Sequence, residues 1–144
     1  MTSRRAVLTD LPFLTEVEKK CFHDPWNEEM LVSELLDKLA CFYIVSSDSV
    51  DVGYYSFLHV FDEAHIMNVA VLPEFQGRGF GREEMKDLLK KTYDLGAKNV
   101  TLEVRESNFK AVSLYESMGF VCVGKRPKYY MDGEDALIYW LYRD

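Results

Sequence analysis

The feature that most constrains the fold of this chain is a strand-like segment that passes through a glycine-rich turn directly into a helical pattern. Residues 69–81 read Val-Ala-Val-Leu-Pro-Glu-Phe-Gln-Gly-Arg-Gly-Phe-Gly. Glycines at 77, 79 and 81 let successive backbone N–H groups converge, and a helix start adds the positive end of its dipole. Arg78 and Arg82 add positive charge for phosphate groups. The segment predicts a pyrophosphate-binding loop, with a tight turn that binds nothing as the alternative.

Two other phosphate-binding folds fit this segment less well. A Rossmann unit needs Gly-x-Gly-x-x-Gly and an acidic residue about 20 positions later, and Glu103 lies near that distance. The glycines here are spaced Gly-x-Gly-x-Gly instead, and the chain offers only one strand-helix-strand unit. A P-loop is excluded because no Gly-Lys-Ser/Thr follows the glycines.

The rest of the chain alternates between helical and strand patterns, which together predict an α/β fold. Three β-rich segments from Ala40 onward predict an antiparallel meander. The predicted elements are a strand at residues 4–7, a helix capped by Asp10 with Pro12 in its first turn, a helix from Asn27 to about Lys38, three strands within residues 40–72, a helix from about Gly79 to Leu95, a strand at residues 99–104, a helix capped by Ser107 or Asn108 and ended by Gly119, and strands at residues 120–125 and 136–142.

Composition and charge fit a single domain, residues 1–144, and narrow its partners. Hydrophobic residues make up 48% of the chain, which is enough for a folded core. The net charge of -7 argues against nonspecific binding to nucleic acid or to an anionic membrane, and favours a cationic peptide or amine as the partner. Because no segment has the length of a bilayer span, we expect a cytoplasmic protein.

Cysteine and histidine patterns suggest no metal or redox site. Cys21, Cys41 and Cys122 are widely spaced and form no Cys-x-x-Cys pair, so we expect buried free thiols. No histidine has a ligand spacing such as His-Glu-x-x-His, among His23, His59 and His65.

The quoted glycine-rich segment resembles the acetyl-CoA signature of the GNAT superfamily of N-acetyltransferases. Residues 102–120, LEVRESNFKAVSLYESMGF, resemble the strand and helix that follow it in that family. The likeness covers the order of elements over nearly the whole chain, and is strongest for the bacterial ribosomal-protein-alanine N-acetyltransferases. That similarity rests on Pro25-Trp26, on Glu103 with Asn108 and Tyr115, and on RPKYY followed by DGEDALI. It implies a mixed, mostly antiparallel, splayed sheet flanked by helices.

The resemblance also implies the site. Acetyl-CoA, as cosubstrate, would lie where the sheet splays, with Glu103 as the general base and Tyr115 as the general acid. Trp26, Tyr129 and Tyr130 would hold the N-terminus of the acceptor peptide. The residues expected to bind the cofactor are Val69, Ala70 and Val71 for pantetheine and the thioester carbonyl, Gly77, Arg78, Gly79, Phe80, Gly81 and Arg82 for pyrophosphate, and Asn108.

General chemistry supports the catalytic pair. An amine attacks a thioester only when it is neutral, and an α-amino group has a pKa of about 7.7–8.0. A carboxylate such as Glu103, directly or through water, can take the amine proton, and a phenol such as Tyr115 can protonate the departing thiolate. The bland alternatives are a solvated Glu103, a Tyr115 that only packs in the core, and a Trp26 that anchors its loop. Asp132, Glu134 and Asp135 are then a solvated turn.

The resemblance implies direct transfer of the acetyl group from acetyl-CoA to the free N-terminal amine of a protein. The expected substrate is the N-terminal alanine of a small-subunit ribosomal protein, with sequence-tolerant N-terminal acetylation as a broader version. Because the fold alone does not fix the acceptor, a lysine side chain, a polyamine or an aminoglycoside is an alternative. A non-catalytic acyl-CoA-binding module that regulates a partner is another, and it would not need Glu103 or Tyr115.

One departure from the family pattern concerns the first turn after the glycine loop. Glu83 and Glu84 stand where close relatives carry small or apolar residues. Carboxylates suit a helix N-terminus but repel a nearby pyrophosphate. We therefore expect weakened cofactor binding.

Overall fold

The computed structural model describes residues 1–143 as one seven-stranded sheet with four α-helices. In chain order the elements are β1 (Thr2–Arg5), α1 (Leu11–Cys21), α2 (Glu28–Leu36), β2 (Ala40–Ser47), β3 (Val50–Val60), β4 (Glu63–Val71), α3 (Phe80–Asp94), β5 (Asn99–Arg105), α4 (Phe109–Ser117), β6 (Val121–Arg126) and β7 (Ala136–Tyr142). The predicted α/β class and the predicted order of elements are confirmed.

The strands lie in the order β1-β2-β3-β4-β5-β7-β6. Every neighbouring pair is antiparallel except β4 and β5, which are parallel. The meander predicted from Ala40 onward is therefore confirmed as β2, β3 and β4.

The parallel pair is short, and this opens the sheet. Strands β4 and β5 are paired only from Glu63 with Asn99 to His65 with Thr101. Beyond His65, β4 stays paired with β3 as far as Val71, while β5 stays paired with β7 as far as Arg105. The second halves of β4 and β5 therefore separate, and the predicted splayed sheet is confirmed.

Helices cover both faces of the sheet, because successive strand residues point to opposite sides. Tyr54 on β3 packs with Leu14 of α1 and Leu31 of α2, and all three side chains are fully buried. Its neighbour Tyr55 packs on the other face with Met85 and other residues of α3. The two hydrophobic clusters pack against the central strands from both faces, and they hold the separated ends of β4 and β5 in place.

The helix starts show where capping was predicted well and where it was not. Asn27 caps α2 by accepting a hydrogen bond from the Met30 N–H at 2.9 Å, as predicted. Asn108, one of two candidates, caps α4 by accepting from the Ala111 N–H at 3.2 Å. Asp10 precedes α1 but makes no side-chain cap, so that prediction is wrong. Its carboxylate is taken by Arg4, at 2.9 Å.

Cys41 is buried and Cys21 is half-buried, but Cys122 is exposed. The expectation of a buried thiol is wrong for Cys122, because β6 lies at the edge of the sheet. Within residues 1–143, no three His, Cys, Asp or Glu side chains are grouped in a way that suits a metal ion. No helix in that range is long and apolar enough to cross a membrane.

Candidate active site

Two clefts follow one another along β4. The aromatic cleft, about 580 Å³, is lined by β4 residues from His65 to Asn68 together with Trp26 and Tyr130. The glycine-loop cleft, about 470 Å³, is lined by Val69 and Val71 together with the start of α3 and one side of α4. Strand β4 therefore connects the aromatic cleft to the glycine-loop cleft, next to the split in the sheet.

The glycine-loop cleft is shaped by backbone that only glycine adopts easily. Gly77 and Gly79 have φ angles of 81° and 85°, and a Cβ at either position would meet no other atom within 4 Å. Helix α3 starts at the next residue, Phe80. The free N–H groups of its first turn therefore face an open space that suits an anion.

Most of the predicted cofactor-binding residues line the glycine-loop cleft: Val69, Val71, Gly77, Gly79, Phe80, Gly81, Arg82 and Asn108. Two do not. The side chain of Ala70 is buried on the opposite face of β4, among residues of α1 and α2, which leaves only its backbone near the cleft. The guanidinium of Arg78 lies 5.6 Å from the centre of the Phe75 ring.

Tyr115 extends from α4 into the glycine-loop cleft. Its ring lies 6.0 Å from that of Phe120, so it also packs against the core. Burial, with smaller contributions from Tyr130 and Glu84, raises the pKa of the Tyr115 phenol to about 12. The hydroxyl is therefore a protonated group throughout the neutral pH range, which a general acid requires.

The predicted substrate residues Trp26, Tyr129 and Tyr130 come together in the aromatic cleft. Trp26 also packs against the core beneath α1 and α2, so the two interpretations of this residue are compatible. Its backbone N–H donates to the buried carboxylate of Glu18 at 2.8 Å. Glu18 accepts a second hydrogen bond from the Tyr54 hydroxyl at 2.6 Å, which fixes the loop between α1 and α2 to the sheet.

Glu103 lies in the aromatic cleft, where its side chain is only 12% exposed. Its carboxylate is 2.5 Å from Nε2 of His65 and 3.9 Å from the guanidinium of Arg126. The hydrogen bond with His65 is the largest cause that lowers the pKa of Glu103, against an opposing effect of burial. The alternative of a solvated carboxylate is therefore wrong for Glu103.

Sequence reasoning missed His65, because it tested histidines only for metal-ligand spacing. His65 is paired with Thr101 in the parallel register, so Glu103, two residues further along β5, points to the same side of the sheet. The signal was the polar residue His65 in the β-rich segment HIMNVAV, which also contains Asn68. The contact of His65 with Glu103 depends on the register between β4 and β5, which are separated in the chain by α3.

Arg105 connects the two loops that wall the aromatic cleft. It forms ion pairs with Asp24 in the loop between α1 and α2, at 3.1 Å, and with Asp132 and Glu134 in the loop between β6 and β7, at 2.9 and 3.0 Å. Its guanidinium also lies 4.1 Å from the centre of the Tyr130 ring. Asp132 is exposed, as expected for a solvated turn, and Glu134 is partly buried, but both carboxylates also pair with Arg105.

Glu84 does not face the glycine loop. Its side chain is fully buried, next to Gly53, where a Cβ would lie 2.8 Å from one carboxylate oxygen. Burial raises the pKa of Glu84 well above its ordinary value, which favours the neutral acid in the folded protein. The expected repulsion of pyrophosphate is therefore wrong for Glu84, while Glu83 is exposed on the first turn of α3.

A sheet opened between two parallel strands, with a glycine-rich helix start in one cleft and the aromatic cleft beside it, is the arrangement expected of an acetyltransferase. The chain belongs to the acetyltransferase (GNAT) family, which matches residues 11–120. This family uses acetyl-CoA. The family match and the opened sheet therefore both indicate an acetyltransferase.

Relatives and solved structures support the same assignment. The [ribosomal protein bS18]-alanine N-acetyltransferase of Escherichia coli strain K12 is 35% identical over 133 residues, which cover 90% of this chain and 89% of that protein. The crystal structure of the ribosomal-protein-S18-alanine N-acetyltransferase from Escherichia coli matches with a TM-score of 0.90 and 33% identity, over 98% of this chain and 92% of that one. The NatC complex bound to Gag peptide and CoA matches with a TM-score of 0.84 over 99% of this chain and 98% of that one, but at 17% identity it shows the fold alone.

Proposed function

We propose that this protein transfers the acetyl group of acetyl-CoA to the free N-terminal amine of a protein. The substrate we infer is the N-terminal alanine of a small-subunit ribosomal protein, as in the relatives named for that activity. Such a substrate places the reaction in the cytoplasm. The observation that carries the proposal is the junction on β4, where the aromatic cleft that contains Glu103 adjoins the glycine-loop cleft that contains Tyr115.

The glycine-loop cleft fits a phosphorylated cofactor. The left-handed glycines leave open space in front of the first turn of α3, and Arg82 lines the same cleft. We assign pyrophosphate to Gly77–Arg82, and the pantetheine arm to the backbone of Val69–Val71. The side-chain oxygen of Asn108, Oδ1, caps α4, which leaves the side-chain NH₂ for the cofactor.

When bound, acetyl-CoA supplies an activated thioester next to β4. The amine attacks from the aromatic cleft, Tyr115 protonates the departing sulfur, and the carboxylate of Glu103 receives the proton of the amine, directly or through an intermediate group. Trp26, Tyr129 and Tyr130 hold the peptide, because aromatic rings with polar edges suit a chain terminus.

Direct attack is favoured over a covalent enzyme intermediate. Cys21 is the thiol beside β4, and its Sγ lies 3.3 Å from the carbonyl oxygen of Val71. Burial raises the pKa of Cys21 to about 11, so little of it is the thiolate that a nucleophile requires. The acceptor amine must therefore reach the thioester itself.

An N-terminal amine is the acceptor that this site needs to activate least. An α-amino group has a pKa of about 7.7–8.0, whereas a lysine side chain has one of about 10.4. Near neutral pH the neutral fraction of the α-amino group is therefore larger by roughly two to three orders of magnitude. An N-terminal amine therefore requires less from the catalytic base than a lysine side chain does.

The test is acetyl-CoA-dependent thiol release over a matched panel of acceptors. It contains peptides with free N-terminal Ala, Ser, Met or Lys, the same peptides with blocked N-termini and an internal lysine, and spermidine. The proposal predicts release only with free N-termini, and fastest with Ala. Release confined to lysine or spermidine contradicts the acceptor, and acetyl-CoA binding without any release contradicts an enzymatic function in favour of a binding module.

A further inference from the structure

The proton path in the aromatic cleft contains a group that the sequence did not reveal. Nε2 of His65 lies 2.5 Å from Oε2 of Glu103. The His65 side chain is 41% exposed, whereas that of Glu103 is only 12% exposed. An acceptor that enters the cleft therefore meets the imidazole more readily than the carboxylate behind it.

We propose that His65 is a catalytic residue that takes the proton from the attacking amine, and that Glu103 orients the imidazole instead of contacting the amine. This assignment rests on the proposed function, since it refines the base in the same reaction. The family resemblance gives the role of general base to Glu103, and the proposal moves that role to His65.

The charges around Glu103 support this division. His65 and Arg126 both lower the pKa of Glu103, and a more acidic carboxyl is a weaker base. Histidine is the side chain best suited to exchange protons near neutral pH. An ionised Glu103 is thus better placed to hold a histidine than to deprotonate an ammonium group.

The contact with Glu103 also determines which nitrogen of the His65 ring can accept a proton. Ionised Glu103 accepts a hydrogen bond from Nε2–H, which leaves the lone pair of Nδ1 available. A buried carboxylate fixes the tautomer of a catalytic histidine in the same way in the Ser-His-Asp arrangement.

Atoms and protons balance in this reaction. The amine nitrogen bonds to the acetyl carbon, the carbon–sulfur bond breaks, and the sulfur takes the proton of Tyr115. The amine proton passes to Nδ1 of His65. Exchange with water then returns the histidine and the tyrosine to their starting states, so the net products are an N-acetyl amide and free CoA thiol.

Other titratable groups that face this part of the cleft are Glu18 on α1, His23 and Asp24 in the loop after it, Arg105 on β5, Arg126 on β6, and Tyr129 and Tyr130 in the loop after β6. Several are engaged with each other. Arg105 pairs with Asp24, and His23 lies 3.7 Å from Asp132. His59 on β3 is not among the residues that line either cleft, so it provides a histidine control outside the site.

The experiment compares the variants H65Q, H59Q and E103Q in steady-state kinetics, using whichever acceptor the wild-type protein acetylates. We expect H65Q to lower kcat/KM by about 10²–10⁴-fold, the usual contribution of a general base, and H59Q to stay within about threefold of wild type. The H65Q/E103Q double variant should be no more than about threefold slower than H65Q, because the two residues act as one unit. Acetyl-CoA binding should be unchanged in all of them.

The pH profile separates catalysis from a structural role. Ionisation of the acceptor amine, with a pKa of about 7.7–8.0, lowers kcat/KM at acid pH in every variant. The proposal predicts that the wild type shows a further loss of kcat/KM at acid pH, and that this further loss is absent in H65Q. A rate for H65Q within threefold of wild type, with E103Q inactive, overturns the proposal and makes Glu103 the direct base. The same further loss in H65Q overturns it too. Because any accepted amine serves for this test, a wrong acceptor under the proposed function is detected separately, by the acceptor panel.

Discussion

At the scale of single residues, position in the split decides what each ionisable group can do. Glu84 is fully buried, whereas Tyr115 is partly buried and lines the glycine-loop cleft. Burial raises the pKa of both groups, so both keep their protons at neutral pH. The proton of Tyr115 can reach a ligand, whereas the proton of Glu84 is enclosed by the core. Removing the Tyr115 hydroxyl should therefore lower activity, and removing the Glu84 carboxyl should change stability instead.

Replacing Tyr115 with Phe removes the acid and keeps the packing on Phe120. We expect kcat to fall by about 10²–10⁴-fold with little change in acetyl-CoA affinity. Steady-state kinetics with calorimetric titration of acetyl-CoA measures both quantities, and Tyr93→Phe on the exposed side of α3 is the control. Turnover within threefold of wild type would show that Tyr115 is a packing residue.

Replacing Glu84 with Gln should stabilise the protein, and more so at high pH. The folded state holds Glu84 protonated because its pKa is raised, while in the unfolded chain a carboxyl ionises above a pKa of about 4.3. Stability is therefore lost as pH rises above that value, and a neutral amide avoids the loss. We expect Tm to rise by roughly 3–6 °C at pH 8 and by less at pH 5.

The control for this change is Glu83→Gln, the exposed neighbour on the same turn. Its Tm should stay within about 1 °C of wild type at both pH values. Because Glu84 faces the core, acetyl-CoA affinity should not change in Glu84→Gln. Tighter cofactor binding, or a stabilisation that does not grow with pH, would contradict the structural placement of Glu84.

At the scale of elements, the local features of helices and strands are predictable from sequence, and their long-range partners are not. The meander, the α3 start after Gly79 and the cap by Asn27 follow from local pattern. Asp10 fails as a cap because its carboxylate accepts hydrogen bonds from Arg4, six residues earlier, and from the Val7 N–H. The helix pattern alone does not reveal this competition.

The two ends of α3 offer a direct test of the glycine loop. Gly79 before the helix and Gly96 after it have φ angles of 85° and 93°, and a Cβ added to either residue would have no other atom within 4 Å. Alanine should cost roughly 1–2 kcal/mol of folding free energy at either position, because both are left-handed. Only Gly79→Ala should weaken acetyl-CoA binding, by about tenfold, in calorimetric titration. Equal affinities in the two variants would remove the loop from the cofactor site.

Arg105 should control how the loops grip the acceptor. Lysine at this position keeps the charge but loses the planar fork that reaches carboxylates of both loops. We expect Arg105→Lys to raise KM for an N-terminal peptide by about tenfold, equivalent to about 1.4 kcal/mol, without changing acetyl-CoA affinity. Arg4→Lys, which alters an ion pair with Asp10 outside the clefts, is the control. An equal effect of both variants would point to general destabilisation.

At the scale of the whole molecule, the split in the sheet joins two sites that are far apart in sequence. The glycine loop and the residues that resemble a catalytic pair could be located from sequence, because each lies in a short continuous motif. The contact of His65 with Glu103 and the Arg105 cluster could not, because each depends on loops and strands meeting across the cleft. Local motifs therefore predict the residues of the candidate site. The contacts that position those residues depend on strand register and loop packing, which the sequence does not show.

The most direct test of the account is the position of the acetyl group in a product. One peptide with a free N-terminal alanine and an internal lysine is incubated with the protein and acetyl-CoA, and tandem mass spectrometry locates the added acetyl. The account predicts a single acetyl on the α-amino group of the alanine. An acetyl on the lysine side chain, with the α-amino group unmodified, would contradict it.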